Sequence, residues 1–352
     1  MAPEFIDGVR SQPDVLRRSA AAVREALDGG PVTELLGRGR IAAIGMGAST
    51  HAVAGFAAAL RAAGRPAVAL SAADLVSNGV VSDGVVSDGV VSDGVPAGLA
   101  DAYLGVSQSG RSTETVEAMR AVGRGAPRVA LTNNPGYPLG AVADAVLPLG
   151  CGEDTRVSTL SYTATVQALG LLVDALTGTV SADWDALPGQ AADVLRGDAT
   201  PVVDAFADVA AIDVVGSGVR LASVGAAALL LRESVHLPTA GFTTREYLHG
   251  PLEVAAPGRG ALVFGEPGGR EARLAGELAG WGAAVVFVSS GGDVPEQSNL
   301  RVVRLPAVGG LAGAVLDILP VQVVAAGLAQ RKGMAIGLHH MPDDTKVGPP
   351  EG

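Results

Sequence analysis

Two patterns of apolar residues alternate along this chain. Short, nearly continuous apolar runs at 40–45, 66–70, 102–106, 128–132 and 145–148 read as strands buried on both faces. Between them, apolar residues recur at helical spacing, as in Leu16, Ala20, Val23 and Leu27 within 11–27. Further helices are predicted over 48–63, 113–122 and 158–176. The alternation stops across 177–198, a stretch of Gly, Ser, Pro and Asp that reads as an inter-domain connection. It then restarts, with strands predicted at 211–215, 261–264, 284–288 and 302–305 and helices at 222–235, 271–281 and 312–331. Strands alternating with helices imply parallel sheets covered on both faces. The expected fold is therefore α/β, with two doubly wound domains. Their expected bounds are an N-terminal helix (1–28), a first domain (29–180), a second domain (181–335) and a tail (336–352).

Length agrees with two domains, since 352 residues is about twice a typical domain of roughly 150. Apolar residues make up 48%, enough for a packed core, which excludes a disordered chain. The net charge is −11, and an acidic balance argues against a nucleic-acid partner. Part of that charge is local. Residues 76–95 repeat a Val-Ser-Asx-Gly-Val pentad, with Asp83, Asp88 and Asp93 in its later copies, and read as tandem growth of a surface loop. Cys151 is the only cysteine, so neither an internal disulfide nor a four-cysteine zinc site can form. The acidic first residues do not resemble a secretory signal. The most apolar segment, 310–330, is interrupted by Asp317 and Pro320 and reads as a buried helix rather than a membrane span. A cytoplasmic protein without membrane contact is expected.

Three segments rich in hydroxyl groups precede helices: Gly47-Ala-Ser-Thr50, Ser107-Gln-Ser-Gly-Arg-Ser-Thr113 and Arg156-Val-Ser-Thr159. Ser and Thr cap helices for purely structural reasons, so any one of these says little. Three of them at the carboxyl ends of parallel strands would form an anion cradle from N–H groups, hydroxyls and helix dipoles. Neither a P-loop lysine pattern nor GxGxxG follows a strand. The second half offers acid–base candidates. Glu233 lies near the end of an otherwise apolar helix, where it is either a solvated end residue or a poised base. His249 precedes a Gly-Pro turn, as a surface residue or a proton shuttle. Lys346 sits in the tail, solvated or poised to form an imine. His339 and His340 are adjacent, so their side chains diverge, and no metal site is expected.

Together these residues resemble the tandem sugar isomerase (SIS) domain family, and within it the isomerase half of glucosamine-6-phosphate synthase and glutaminase-free amino-sugar-phosphate deaminases and isomerases. The likeness runs from about Gln12 to Lys346. It rests on Ser107-Gln-Ser-Gly110 with Ser112, Gly47-Ala-Ser49, Val157-Ser-Thr159, Arg232-Glu233 and Glu246-Tyr-Leu-His-Gly-Pro251. The resemblance implies two SIS-type domains. It implies that Ser49, Ser107, Gln108, Ser109 and Ser112 bind a phosphorylated sugar or amino sugar, and that Ser158 contacts the sugar backbone. It implies Glu233 as the base moving a proton between C1 and C2, and Lys346 as the amine that forms an imine with a ketose. It further implies a homodimer in which His249 assists ring opening across the interface, with no cofactor and no metal. Departures are Leu230 where the synthases carry lysine, Met46 for cysteine, Ser112 for threonine, and a longer spacing from Gly333 to Lys346. No glutaminase part accompanies these residues, so glutamine-dependent amination by them is not expected. The expected reaction is conversion of a glucosamine-6-phosphate-like substrate to ketose phosphate and ammonia. A synthase-like aminotransferase subunit and a non-catalytic phosphosugar sensor are the alternatives.

Overall fold

The computed structural model describes residues 4–76, 98–122, 125–292 and 294–348. Its first sheet holds β1 (Ile41–Gly45), β2 (Ala67–Ser71), β3 (Ala102–Val106), β4 (Arg128–Thr132) and β5 (Ala145–Pro148), in the order β2-β1-β3-β4-β5. The second holds β6 (Ala211–Gly216), β7 (Thr239–Thr243), β8 (Arg259–Gly265), β9 (Ala284–Ser290) and β10 (Leu300–Leu305), in the order β7-β6-β8-β9-β10. Every pairing is parallel. Counted within each half, both sheets have the strand order 2-1-3-4-5. The doubly wound α/β architecture is as the sequence predicts.

Strands β1, β3 and β6 are buried at every residue, which is why they read as unbroken apolar runs. Strand β7 was not predicted. Its sequence, Thr-Ala-Gly-Phe-Thr, lies at a sheet edge and carries neither an apolar run nor a clean alternation. The stretch read as an inter-domain connection contains the helix Leu187–Leu195, with Trp184 and Leu187 buried. Val76 ends the short helix Ala72–Val76, while the rest of the pentad repeat lies outside the described residues.

Four helices fill the space between the two sheets: Ala48–Ala62, Leu160–Thr177, Leu221–Val235 and Gly310–Lys332. One continuous apolar cluster runs through them and reaches both sheets. The outer faces of the two sheets carry separate clusters. Gly310–Lys332 is long and apolar enough to cross a bilayer, but 78% of its most apolar stretch is covered by protein. Its acid, Asp317, is buried and pairs with Arg220 at 3.2 Å, while Ser223 donates to it at 3.3 Å. Burial pushes the Asp317 carboxyl up to about 6, against the pull of Arg220. The helices also join through polar groups, since the Tyr162 hydroxyl donates to the Ala222 carbonyl at 2.8 Å.

Close approach in this layer depends on missing side chains. A Cβ at Gly55 would lie 2.8 Å from the Ala222 Cβ and 2.9 Å from the Val219 carbonyl oxygen. Gly55→Ala is expected to cost roughly 1–3 kcal/mol through overpacking, although alanine is the better helix former by about 1 kcal/mol. Gly276→Ala is the control, because the nearest atom there is the flexible Gln297 amide at 3.4 Å, and it should stabilise. Urea unfolding of both variants checks this; equal gains would show that the crossing has room to spare.

Candidate active site

In a 2-1-3-4-5 sheet the chain reverses its direction of travel between the first and third strands, and ligands collect at the carboxyl ends there. Loops leaving β1 and β3 meet at that point. The first turns at Gly47, with φ +54, and enters the helix Ala48–Ala62, so Ser49 sits half-buried in its first turn. The second is Ser107–Ser112, held in shape by its neighbours. Ser107 extends the sheet ladder to Leu131 at 3.1 Å, and the Gln108 carbonyl accepts from Asn133 N–H at 3.0 Å and Thr132 Oγ1 at 3.2 Å. Gly110 has φ +68, and a Cβ there would crowd Thr132 Oγ1 at 2.9 Å. Ser107 and Ser112 hydroxyls lie 2.9 Å apart, and Ser112 precedes the helix Thr113–Ala121. The structure thus brings together Ser49, Ser107, Gln108, Ser109 and Ser112 on neighbouring loops.

Lys346 joins them from the far end of the chain. Its Nζ donates to Ser109 Oγ at 3.2 Å and to Ser112 Oγ at 3.5 Å. The tail is docked rather than loose, since Val347 N–H donates to the Arg111 carbonyl at 2.9 Å and Arg111 Nε to the Val347 carbonyl at 2.6 Å. Burial lowers the Lys346 pKa from its ordinary value; Glu114 opposes this and Arg111 adds to it. Its amine therefore stands at the hydroxyl-rich loop.

The third predicted segment ends at Thr159, just before the helix Leu160–Thr177, and its organiser is Asp154. This carboxylate accepts from Thr159 N–H at 3.1 Å, Thr159 Oγ1 at 2.8 Å and Ser161 N–H at 3.1 Å, and also from the Ser161 hydroxyl. The cluster holds the backbone that directly follows Ser158. Nothing in the sequence distinguishes Asp154 from an ordinary loop acid, and it was not predicted.

Glu233 and Ser158 meet in the helical layer. They line one small cavity of about 10 Å³ with Ala48, Tyr162, Leu230, Ile318 and Gln322. That is room for about one water-sized group. Ala48 directly precedes Ser49, so the cavity adjoins the loop cluster. Leu230, where the resemblance would place a lysine, is 5% exposed and adds apolar wall. Burial pushes the Glu233 carboxyl up to about 7. A carboxyl with that pKa is shared between acid and base forms at neutral pH, as proton transfer requires. Gln322, the amide in this wall, also went unpredicted, because one polar residue in the apolar stretch 310–330 carries no periodic signal.

His249 is not brought to this site. It is exposed, after the helix Thr244–Tyr247, with its N–H donating to the Glu246 carbonyl at 3.0 Å. Among the described residues, no group of three or more His, Cys, Asp or Glu could hold a metal ion. Cys151 is buried and its thiol is pushed up to about 12 by burial and by Asp154, which leaves it unreactive at neutral pH. A cleft of about 1300 Å³ lies between the start of the N-terminal helix Phe5–Gly29 and the end of Gly310–Lys332, and none of the predicted site residues lines it. The corresponding switch point of the second sheet is filled by the protein itself. Ser217 and Thr244 hydroxyls each donate to Glu271 Oε1 at 2.7 Å. Burial alone would raise the Glu271 pKa, but these hydrogen bonds outweigh it and hold the carboxyl below its ordinary value.

No family model matches the sequence. A glutamine–fructose-6-phosphate aminotransferase [isomerizing] of Corynebacterium diphtheriae is 28% identical over 255 residues, covering 66% of this chain and 41% of that protein. The chain thus spans less than half the length of this curated relative. Two solved structures match almost end to end. The C-terminal domain of glucosamine-fructose-6-phosphate aminotransferase from Francisella tularensis superposes with TM-score 0.76 at 18% identity, covering 95% of this chain and 98% of that one. Glucosamine-6-phosphate deaminase from Thermotoga maritima does so with TM-score 0.73 at 18% identity, covering 97% and 98%. The repeated 2-1-3-4-5 sheets and these near end-to-end superpositions show that the chain shares the tandem two-sheet fold of these structures.

Proposed function

We propose that this protein is a phosphosugar isomerase-type enzyme that converts an amino-aldose phosphate such as glucosamine 6-phosphate, with water, to the ketose phosphate and ammonia. The observation that carries the reading is Glu233, a carboxyl raised to about 7, facing Ser158 in a cavity that adjoins a hydroxyl-lined loop. The phosphate lies on Ser107, Ser109 and Ser112, at the N-terminus of Thr113–Ala121, where N–H groups and the helix dipole favour an anion. Lys346 adds charge at the same end, so its first role in this reading is pairing with the phosphate; the imine role implied by the resemblance would need its amine to leave the loop. With the phosphate anchored, Glu233 removes the C2 proton of the open-chain sugar and returns it to C1. The C2 iminium left behind takes up water and releases ammonia, giving the ketose. An aminotransferase subunit is the second reading, since the Francisella aminotransferase domain superposes as completely as the Thermotoga deaminase.

Glu233 acts as a base only when ionised. With its carboxyl raised to about 7, kcat/KM should climb with pH up to about 7 and level off above it. Coupled assays of ammonia and fructose 6-phosphate from glucosamine 6-phosphate check this. Glu233→Gln should lose at least about a hundredfold in kcat, the usual share of one acid–base group. Turnover undiminished in that variant would remove Glu233 from the mechanism, and binding without any turnover in the wild type would favour a sensor.

His249, exposed and apart from the cavity, serves in this reading as the ring-opening group of a second copy. Inactive Glu233→Gln and His249→Ala proteins should then regain activity when mixed and allowed to exchange subunits. Mixtures as inactive as their components would overturn the shared site.

A further inference from the structure

Two buried glutamines meet behind the Glu233 cavity, and their hydrogen bonds leave one donor unspent. Gln12, on the N-terminal helix, is 0% exposed, and Gln322, on Gly310–Lys332, is 1% exposed. A buried amide is costly unless its donors and acceptor are satisfied. Gln12 Nε2 donates to the Val9 carbonyl at 2.9 Å and to Gln322 Oε1 at 2.7 Å. Gln12 Oε1 accepts from the Thr163 hydroxyl at 2.8 Å. Gln322 Nε2 donates to the Thr159 carbonyl at 3.4 Å.

These bonds also settle which way each amide faces. Backbone carbonyls only accept, so Val9 requires the NH2 group of Gln12 on its side and Thr159 requires that of Gln322. Reversing either amide would set two acceptors against each other. Gln322 therefore presents an NH2 group toward Thr159, the residue after Ser158, and its second N–H has no acceptor among the described residues. The same side chain lines the small cavity with Glu233 and Ser158. At about 10 Å³, that space admits one oxygen-sized group.

We propose that Gln322 is a substrate-contacting specificity residue. Its free N–H donates to the hydroxyl or carbonyl oxygen of the sugar's reacting end that enters beside Glu233, and Gln12 is the positioning residue that fixes its orientation. The assignment rests on the sugar-phosphate reading above and extends it. It accounts for two amides buried in an apolar layer, and it couples the N-terminal helix to the site. Discrimination follows from it, because a sugar phosphate without an acceptor at that position leaves the N–H unpaired.

The test uses Gln322→Met and Gln12→Met, which keep volume and remove the amide. Calorimetry with the wild type and each variant measures affinity for glucosamine 6-phosphate and, separately, for inorganic phosphate. Gln322→Met should weaken sugar-phosphate binding or kcat/KM by about three- to tenfold, the weight of one hydrogen bond, and leave inorganic phosphate binding unchanged. Gln12→Met should do the same, and the double variant should be no worse than Gln322→Met alone, since Gln12 acts through Gln322. Losses that add would mean that the pair only supports the fold. A Gln322→Met protein that unfolds on thermal melting is replaced by Gln322→Glu, which keeps the shape but exchanges the NH2 donors for an oxygen and should show the same loss. Equal sugar-phosphate affinity in the wild type and a folded Gln322 variant overturns the Gln322 assignment alone. A wild type that binds neither ligand overturns the functional reading beneath it.

Discussion

The apolar layer of four helices between the two sheets is the constraint on which the rest depends. It joins the halves through one continuous hydrophobic cluster, and it is also the solvent that Glu233 experiences. Close packing leaves a cavity only large enough for one small group, and Leu230 contributes wall rather than charge. The carboxyl is raised because partial burial in this layer disfavours its charged form. Stability and chemistry thus draw on the same packing. The helix that meets Gly55 closely is also the one that carries Glu233.

The repeated topology does not make the halves equivalent. Both sheets offer a switch point of the kind that collects ligands. In the first half its loops carry Ser49, Ser107, Ser109 and Ser112; the Ser107 and Ser112 hydroxyls meet each other, and Ser109 and Ser112 accept from Lys346. In the second half Ser217 and Thr244 spend their hydroxyls on Glu271. The second half instead gives the helix that bears Glu233 and the tail that reaches back to the Ser107–Ser112 loop. In the proposed reading, anchoring belongs mainly to one half and proton transfer to the other, so the site needs the two packed together.

How much of this could be read from the sequence follows from the range of the interactions. Strands buried on both faces announce themselves locally, so β1, β3, β4 and β5 were legible to within a residue, while the polar edge strand β7 was not. The hydroxyl loops were legible as a group because their spacing relative to strands is local. Asp154, Gln12 and Gln322 were not, because each matters through partners distant in sequence or through a network: Gln12 and Gln322 are 310 residues apart. The position of Lys346 was implied by family resemblance rather than by its own surroundings, and its contact with Ser109 spans 237 residues. His249 remains outside the site formed within one chain, and nothing local to it would have revealed that.

The central claim is that burial in the helical layer makes Glu233 a base usable at neutral pH. Its most direct test is to titrate that carboxyl by carbon-13 NMR in protein labelled at glutamate, assigning the signal by its loss in Glu233→Gln. The account predicts a midpoint near 7. A midpoint at the ordinary glutamate value, about 4.3, would contradict it.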